Sequence, residues 1–144
     1  MLELDLSIHA RPPAAATGEA IEVNGQSVRP LGLGADVTRE PFSISFEEAA
    51  ERLTALDAMI HFEPDGWFIW HSPTGEQPVW QINGNLFDRG RRLWFVPLRG
   101  TCPEEVLRRI LAVLADDPEA GLMFELTQVG VYVSLGDLVG CSRT

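Results

Sequence analysis

All four tryptophans of the chain, Trp67, Trp70, Trp80 and Trp94, fall between Gly66 and Arg99, and turn residues cut this stretch into three short apolar runs. A tryptophan ring carries on the order of 150–250 Å² of surface that gains from leaving water. Wherever these runs go, the fold must supply something to lie over them.

The runs read as strands. Trp67-Phe68-Ile69-Trp70-His71 follows a Pro64-Asp65-Gly66 turn and pairs in sequence with Ile60-His61-Phe62-Glu63, which predicts a hairpin. The stretch from Ser72 to Pro78 is a further turn before Val79-Trp80-Gln81-Ile82-Asn83. Asn83-Gly84 and Arg89-Gly90 mark two more turns, and Arg92 to Leu98 forms the last strand of the group. Pro97 cannot donate to a sheet ladder, so this strand is expected to end there, at an edge or a bulge.

Read as regular strands, the first places Trp67 and Ile69 on one face and Phe68 and Trp70 on the other. The last sets Leu93 and Phe95 against Trp94, Val96 and Leu98. Both faces of the sheet are then apolar.

Two helices are predicted beside these strands. Ser45 with Glu48 has the form of a capping box, and Phe46, Ala49, Ala50, Leu53 and Leu56 recur at helical spacing over residues 46–58. Thr101 with Glu104 repeats the capping pattern, and Val106, Leu107, Ile110, Leu111, Val113 and Leu114 predict a helix over 103–115. A hairpin from Leu122 to Leu135 follows it. The order helix, strand, turn, strand thus occurs twice, in residues 46–71 and 103–134, as an internal duplication would give.

Toward the N-terminus, Leu2, Leu4, Leu6 and Ile8 alternate with polar residues as in a half-buried strand. The stretch His9 to Gly18 reads as a linker. Asn24-Gly25 between Ile21-Glu22-Val23 and Gln26-Ser27-Val28 is a strong hairpin signal. The whole chain of 144 residues is then one α+β domain, with an N-terminal segment (1–41), a main body (42–135) and a tail (136–144). A largely antiparallel sheet of about five to seven strands carries both helices on one face. The second face needs a cover, either the N-terminal segment, a symmetric partner chain or a ligand.

Composition narrows the function classes. The net charge of −10 disfavours a nucleic-acid or anionic membrane partner. All eleven basic residues are arginine, which excludes Schiff-base lysine chemistry and a P-loop lysine. Charge is also uneven along the chain. Residues 89–109 hold Arg89, Arg91, Arg92, Arg99, Arg108 and Arg109 against Glu104 and Glu105, while residues 40–65 hold seven acids against Arg52. Such a chain can pair head to tail, or grip an acidic group with the Arg89-Arg91-Arg92 turn. The opening Met1 to Asp5 is acidic and lacks a signal-peptide pattern, so a cytoplasmic location is expected.

Motifs for chemistry are sparse. His61, Glu63 and His71, with Asp65 at the turn, hold a divalent metal only if the hairpin brings them together. Cys102 at a helix N-terminus would have an activated thiol, yet nothing in the sequence brings a base to it, and a buried structural cysteine is the alternative. Gly32-Leu33-Gly34 lacks the context of a dinucleotide site, and no cofactor is indicated.

The order of elements resembles that of secretion chaperones and of some bacterial toxin-immunity proteins. The leading expectation is a non-enzymatic protein-binding module, an adaptor, chaperone or inhibitor, and a homodimer. The second is a small-molecule site in which Trp67, Trp70, Trp80 or Trp94 stacks on a sugar or an anionic ring with Arg91 or Arg92 holding its charge. A metal- or cysteine-dependent enzyme comes last.

Overall fold

The computed structural model of the chain describes residues 1–34 and 39–144. An eight-stranded antiparallel sheet runs through it, with strand order β12-β11-β1-β10-β8-β7-β6 and β9 paired to the start of β10. The strands are β1 (Leu2–Ala10), β6 (Ile60–Phe62), β7 (Trp67–His71), β8 (Gln81–Asn85), β9 (Phe87–Arg89), β10 (Arg92–Cys102), β11 (Leu122–Leu126) and β12 (Val131–Val133). Two small pairs stand apart: β2 (Ala16–Thr17) with β5 (Leu31–Gly32), and β3 (Ile21–Val23) with β4 (Gln26–Val28). The α+β class and the two amphipathic helices match the sequence pattern; the sheet is one strand larger than expected.

The N-terminal strand lies at the centre. Its register sets Leu6 opposite Leu98 of β10 and Leu126 of β11. Leu2, Leu4, Leu6 and Ile8 are all buried, as strict alternation demands of a strand with one face on a core. Ile82 of β8, Phe68 and Trp70 of β7, and Phe124 of β11 join them in one hydrophobic cluster.

Two helices close that face. In α1 (Phe46–Thr54) the Ser45 hydroxyl accepts from the Glu48 amide at 3.1 Å, the cap that the sequence predicts. In α2 (Glu104–Leu114) the buried stripe is Val106, Leu107, Ile110, Leu111, Val113 and Leu114. Its start departs from expectation: Thr101 does not cap it. Strand β10 continues to Cys102, with Thr101 paired to both Glu3 and Gln81, and Pro103 takes the cap position without a side-chain bond. Pairing on both edges of β10 outweighs a single cap hydrogen bond, worth roughly 1 kcal/mol.

Other boundaries move for similar reasons. His9 and Ala10 belong to β1 and pair with Met123 and Leu122, so the linker begins later than the proline-rich pattern implies. Asn83-Gly84 is no turn but the middle of β8. Gly84 is there because the Phe68 ring lies over it: a Cβ would stand 2.6 Å from Phe68 Cε1 and 2.8 Å from Leu98 Cδ2. The Asn24-Gly25 turn is as expected, both residues taking positive φ, 50° and 77°.

The tail is a helix, α4 (Leu135–Ser142), after the single turn α3 (Pro118–Gly121). Gly136 and Gly140 blur its periodicity, yet Ser134 caps it by accepting from Asp137, a Ser-x-x-Asp signal present in the sequence. Leu135, Leu138 and Val139 bury in the main cluster, and the β3–β4 hairpin packs on α4 through Val23 and Val28. The N-terminal segment therefore extends the helical layer. The β6–β7 hairpin ends one side of the sheet and β11–β12 the other, with α3 inserted between α2 and β11 but no such helix between α1 and β6. No helix among the described residues is long and apolar enough to cross a membrane.

Candidate functional site

The expected two-sided apolar sheet is not what forms. On β7 Phe68 and Trp70 are buried, Ile69 and His71 half-buried, and Trp67 is 40% exposed. On β10 the register shifts between Leu93 and Phe95, so Leu93 and Val96 both point into the core while Trp94 and Phe95 stay half-exposed. One extra residue in a strand reverses the face of everything beyond it, which is why period-2 counting assigned these side chains wrongly. The outer face runs through Glu3, Asp5 and Ser7 of β1, Arg99 of β10, and Asn83 and Asn85 of β8, all exposed or half-exposed. It is a polar face with aromatic residues set in it.

The four tryptophans do not share a site. Trp70 is 1% exposed and meets Trp80 edge to face at 5.9 Å, with Arg109 of α2 lying 5.1 Å over its ring. Trp67 stands on the outer face opposite Asn85. Trp94 lies between two guanidinium groups, Arg89 at 4.9 Å and Arg39 at 5.3 Å from the ring centroid. Arg91 and Arg92 sit exposed at the β9–β10 turn, and Ser45 bridges to Arg92, which puts the acidic start of α1 beside the basic turn within one chain.

Around Trp94 the outer face becomes a cluster that sequence reading missed. His9, only 6% exposed, stacks on Phe95 at 5.8 Å and meets Tyr132 edge-on at 5.5 Å, while Phe95 stacks on Phe87 at 4.7 Å. Arg39 Nη1 donates to His9 Nδ1 at 3.1 Å and reaches the Tyr132 hydroxyl at 3.4 Å. An arginine can only donate, so Nδ1 carries the lone pair and Nε2 carries the proton, 3.3 Å from Glu125 Oε1. Burial first, and the Arg39 charge second, lower the His9 pKa; Glu125 works against them. Both ring nitrogens are engaged, which leaves this imidazole no lone pair for a substrate proton. The alternation of β1, carried one residue past Ile8, would have placed His9 on this face.

The other candidates separate likewise. Cys102 is buried in β10 opposite Leu2, and burial pushes its thiol up to about 11, the reverse of activation. His61 and His71 do meet across the β6–β7 hairpin, but Glu63 lies at its turn end beside Trp67, four strand residues or about 13 Å from His71. Among the described residues no three of His, Cys, Asp and Glu gather to hold a metal ion.

A concavity of about 610 Å³ opens beside the first half of β1, where β11 has ended and the C-terminus bridges back to Leu2. Its walls mix Glu3 and Asp5 with Arg99 and Arg143. Compared with protein-family models, curated proteins and solved structures, the chain matches none.

Proposed function

We propose that this chain is a protein-binding module that receives an acidic segment of a partner on the outer face of its sheet, at the β9–β10 end. The reading rests on one observation: among the described residues Arg89, Arg91 and Arg92 at the β9–β10 turn, and Arg39 beside Arg89 at the Trp94 ring, have no carboxylate within ion-pair distance. Among the described residues Arg52 pairs with Glu48, and Arg108 and Arg143 with Glu104, while Arg11, Arg29 and Arg109, also without a carboxylate within ion-pair distance, are scattered rather than gathered at one turn. Concentrated unpaired guanidinium groups on a protein of net charge −10 attract carboxylates and steer their approach. Exposed Phe87 and Trp67 add the aromatic contacts that interfaces favour.

Photo-crosslinking tests this. With a photoreactive residue replacing Phe87 or Trp67, the same acidic protein should be captured from the native cell, and Arg89→Glu with Arg91→Glu should abolish the capture. Equal capture from a photoreactive residue at Glu51, on the helical layer, would overturn the reading. A second copy of the chain is one possible catch, and light scattering coupled to size exclusion identifies it.

The small-molecule reading keeps less support, because Trp70 is closed off and Trp94 is already held by two arginines.

A further inference from the structure

At the opposite end of the sheet the two remaining histidines form a pair. His61 is the middle residue of β6, the terminal strand of the sheet, and His71 closes β7. His61 pairs in register with Ile69, so His71 is its diagonal neighbour on the outer face. Their Nε2 atoms are 3.3 Å apart, with ring centroids at 5.4 Å and planes 13° apart. The nitrogens face each other, edge to edge.

The protonation of one ring follows from its other contact. His71 Nδ1 lies 2.8 Å from the Ser72 carbonyl oxygen, which only accepts, so Nδ1 carries the hydrogen. Neutral His71 therefore presents a lone pair at Nε2. A backbone carbonyl that holds Nδ1–H in this way orients an imidazole for metal ligation through Nε2. In the metal-free pair that lone pair accepts from Nε2–H of His61.

We propose that His61 and His71 form a two-imidazole binding site for a late divalent transition-metal ion. Two nitrogens each roughly 2.0–2.1 Å from a tetrahedral ion stand about 3.3 Å apart, so the observed spacing already suits one ion between them. Binding needs one change of tautomer: the His61 proton moves from Nε2 to Nδ1, and both Nε2 lone pairs then donate to the ion. Neither ring takes up or loses a net proton. Imidazole donors without a carboxylate select copper, nickel and zinc over magnesium and calcium, with Cu²⁺ bound tightest. The remaining positions are open to water, on an exposed rim of the sheet where His71 is flanked by Gln81.

Calorimetric titration with CuCl₂, NiCl₂, ZnCl₂ and MgCl₂ tests the site on the wild type, His61→Gln, His71→Gln and the double variant. Both positions reach solvent, so glutamine is accommodated, and circular dichroism confirms that each variant is folded. The expected result is one ion per chain, Cu²⁺ tightest and Mg²⁺ silent, with at least a tenfold loss of affinity in each single variant. Cu²⁺ should also broaden amide resonances selectively at residues 60–62, 69–71 and 81. Unchanged affinity in the double variant, a wild type that binds none of the ions, or broadening centred elsewhere would overturn the proposal.

Discussion

The guanidinium of Arg39 donates to Nδ1 of His9 across 3.1 Å, although 30 positions separate the two in sequence. Burial first, and this contact second, hold His9 in its neutral form and lower its pKa from the ordinary 6.5. The unfolded chain then takes up a proton at a higher pH than the folded one. Stability is complete above about pH 6.5 and falls as acid is added, until the folded pKa is passed. Urea unfolding from pH 7.5 to 5 should show this slope, and His9→Phe, which keeps the stacking on Phe95, should flatten it. An equal slope in the variant would mean that other groups carry the acid sensitivity.

Gly84 and the Phe68 ring make a second contact that can be tested. A methyl group at position 84 would press on Phe68 and Leu98 in the middle of the sheet. Gly84→Ala should cost about 1–3 kcal/mol, the usual range for overpacking a core, read as a lower urea midpoint at unchanged slope.

Ile8 is fully buried in the central strand between β10 and β11. Ile8→Ala should lose about 2–5 kcal/mol, and Val79→Ala, at a side chain 70% exposed, less than about 0.5 kcal/mol. Similar losses at the two sites would contradict the assignment of β1 to the centre.

Cys102 should resist alkylation in the folded protein. Its thiol is enclosed and its pKa raised to about 11, so iodoacetamide at pH 8 should label it only after denaturation. Rapid native labelling, followed by mass spectrometry of the Cys102 peptide, would refute the burial described.

The tryptophans differ enough in exposure to be told apart by quenching. Trp67→Phe should reduce the acrylamide-accessible fluorescence, to which half-buried Trp80 and Trp94 also contribute, whereas Trp70→Phe should leave that fraction in place, because Trp70 is closed off beneath Arg109. The reverse pattern would exchange the two faces of β7.

Much of the secondary structure was legible because its causes are local. The Ser45 cap, the apolar stripe of α2, the alternation of β1 and the Asn24-Gly25 turn each depend on residues within a few positions of one another. The errors arose where distant partners decided. Asn83-Gly84 has turn chemistry, but Phe68 needs a residue without a side chain beneath its ring, and β7 and β10 hold Gly84 in a strand from both sides. Pro97 lies inside β10, between the part paired with β9 and the part paired with β8, a position that only the assembled sheet reveals.

For the candidate sites the division is sharper. Sequence by itself determined that the chain is an α+β domain, that Trp67, Trp70 and Trp94 lie on strands, and that His61 and His71 can approach across one hairpin; Trp80, expected in a strand, falls just before β8. Only the tertiary structure decided which face Trp94 takes, because a single bulge in β10 changes the parity that sequence counting relies on. It alone brought His9, Arg39, Trp94 and Glu125 together from four separate segments. Between Gly66 and Arg99 the aromatic side chains record hydrophobicity, which is local, but their burial depends on what packs over them, which is not.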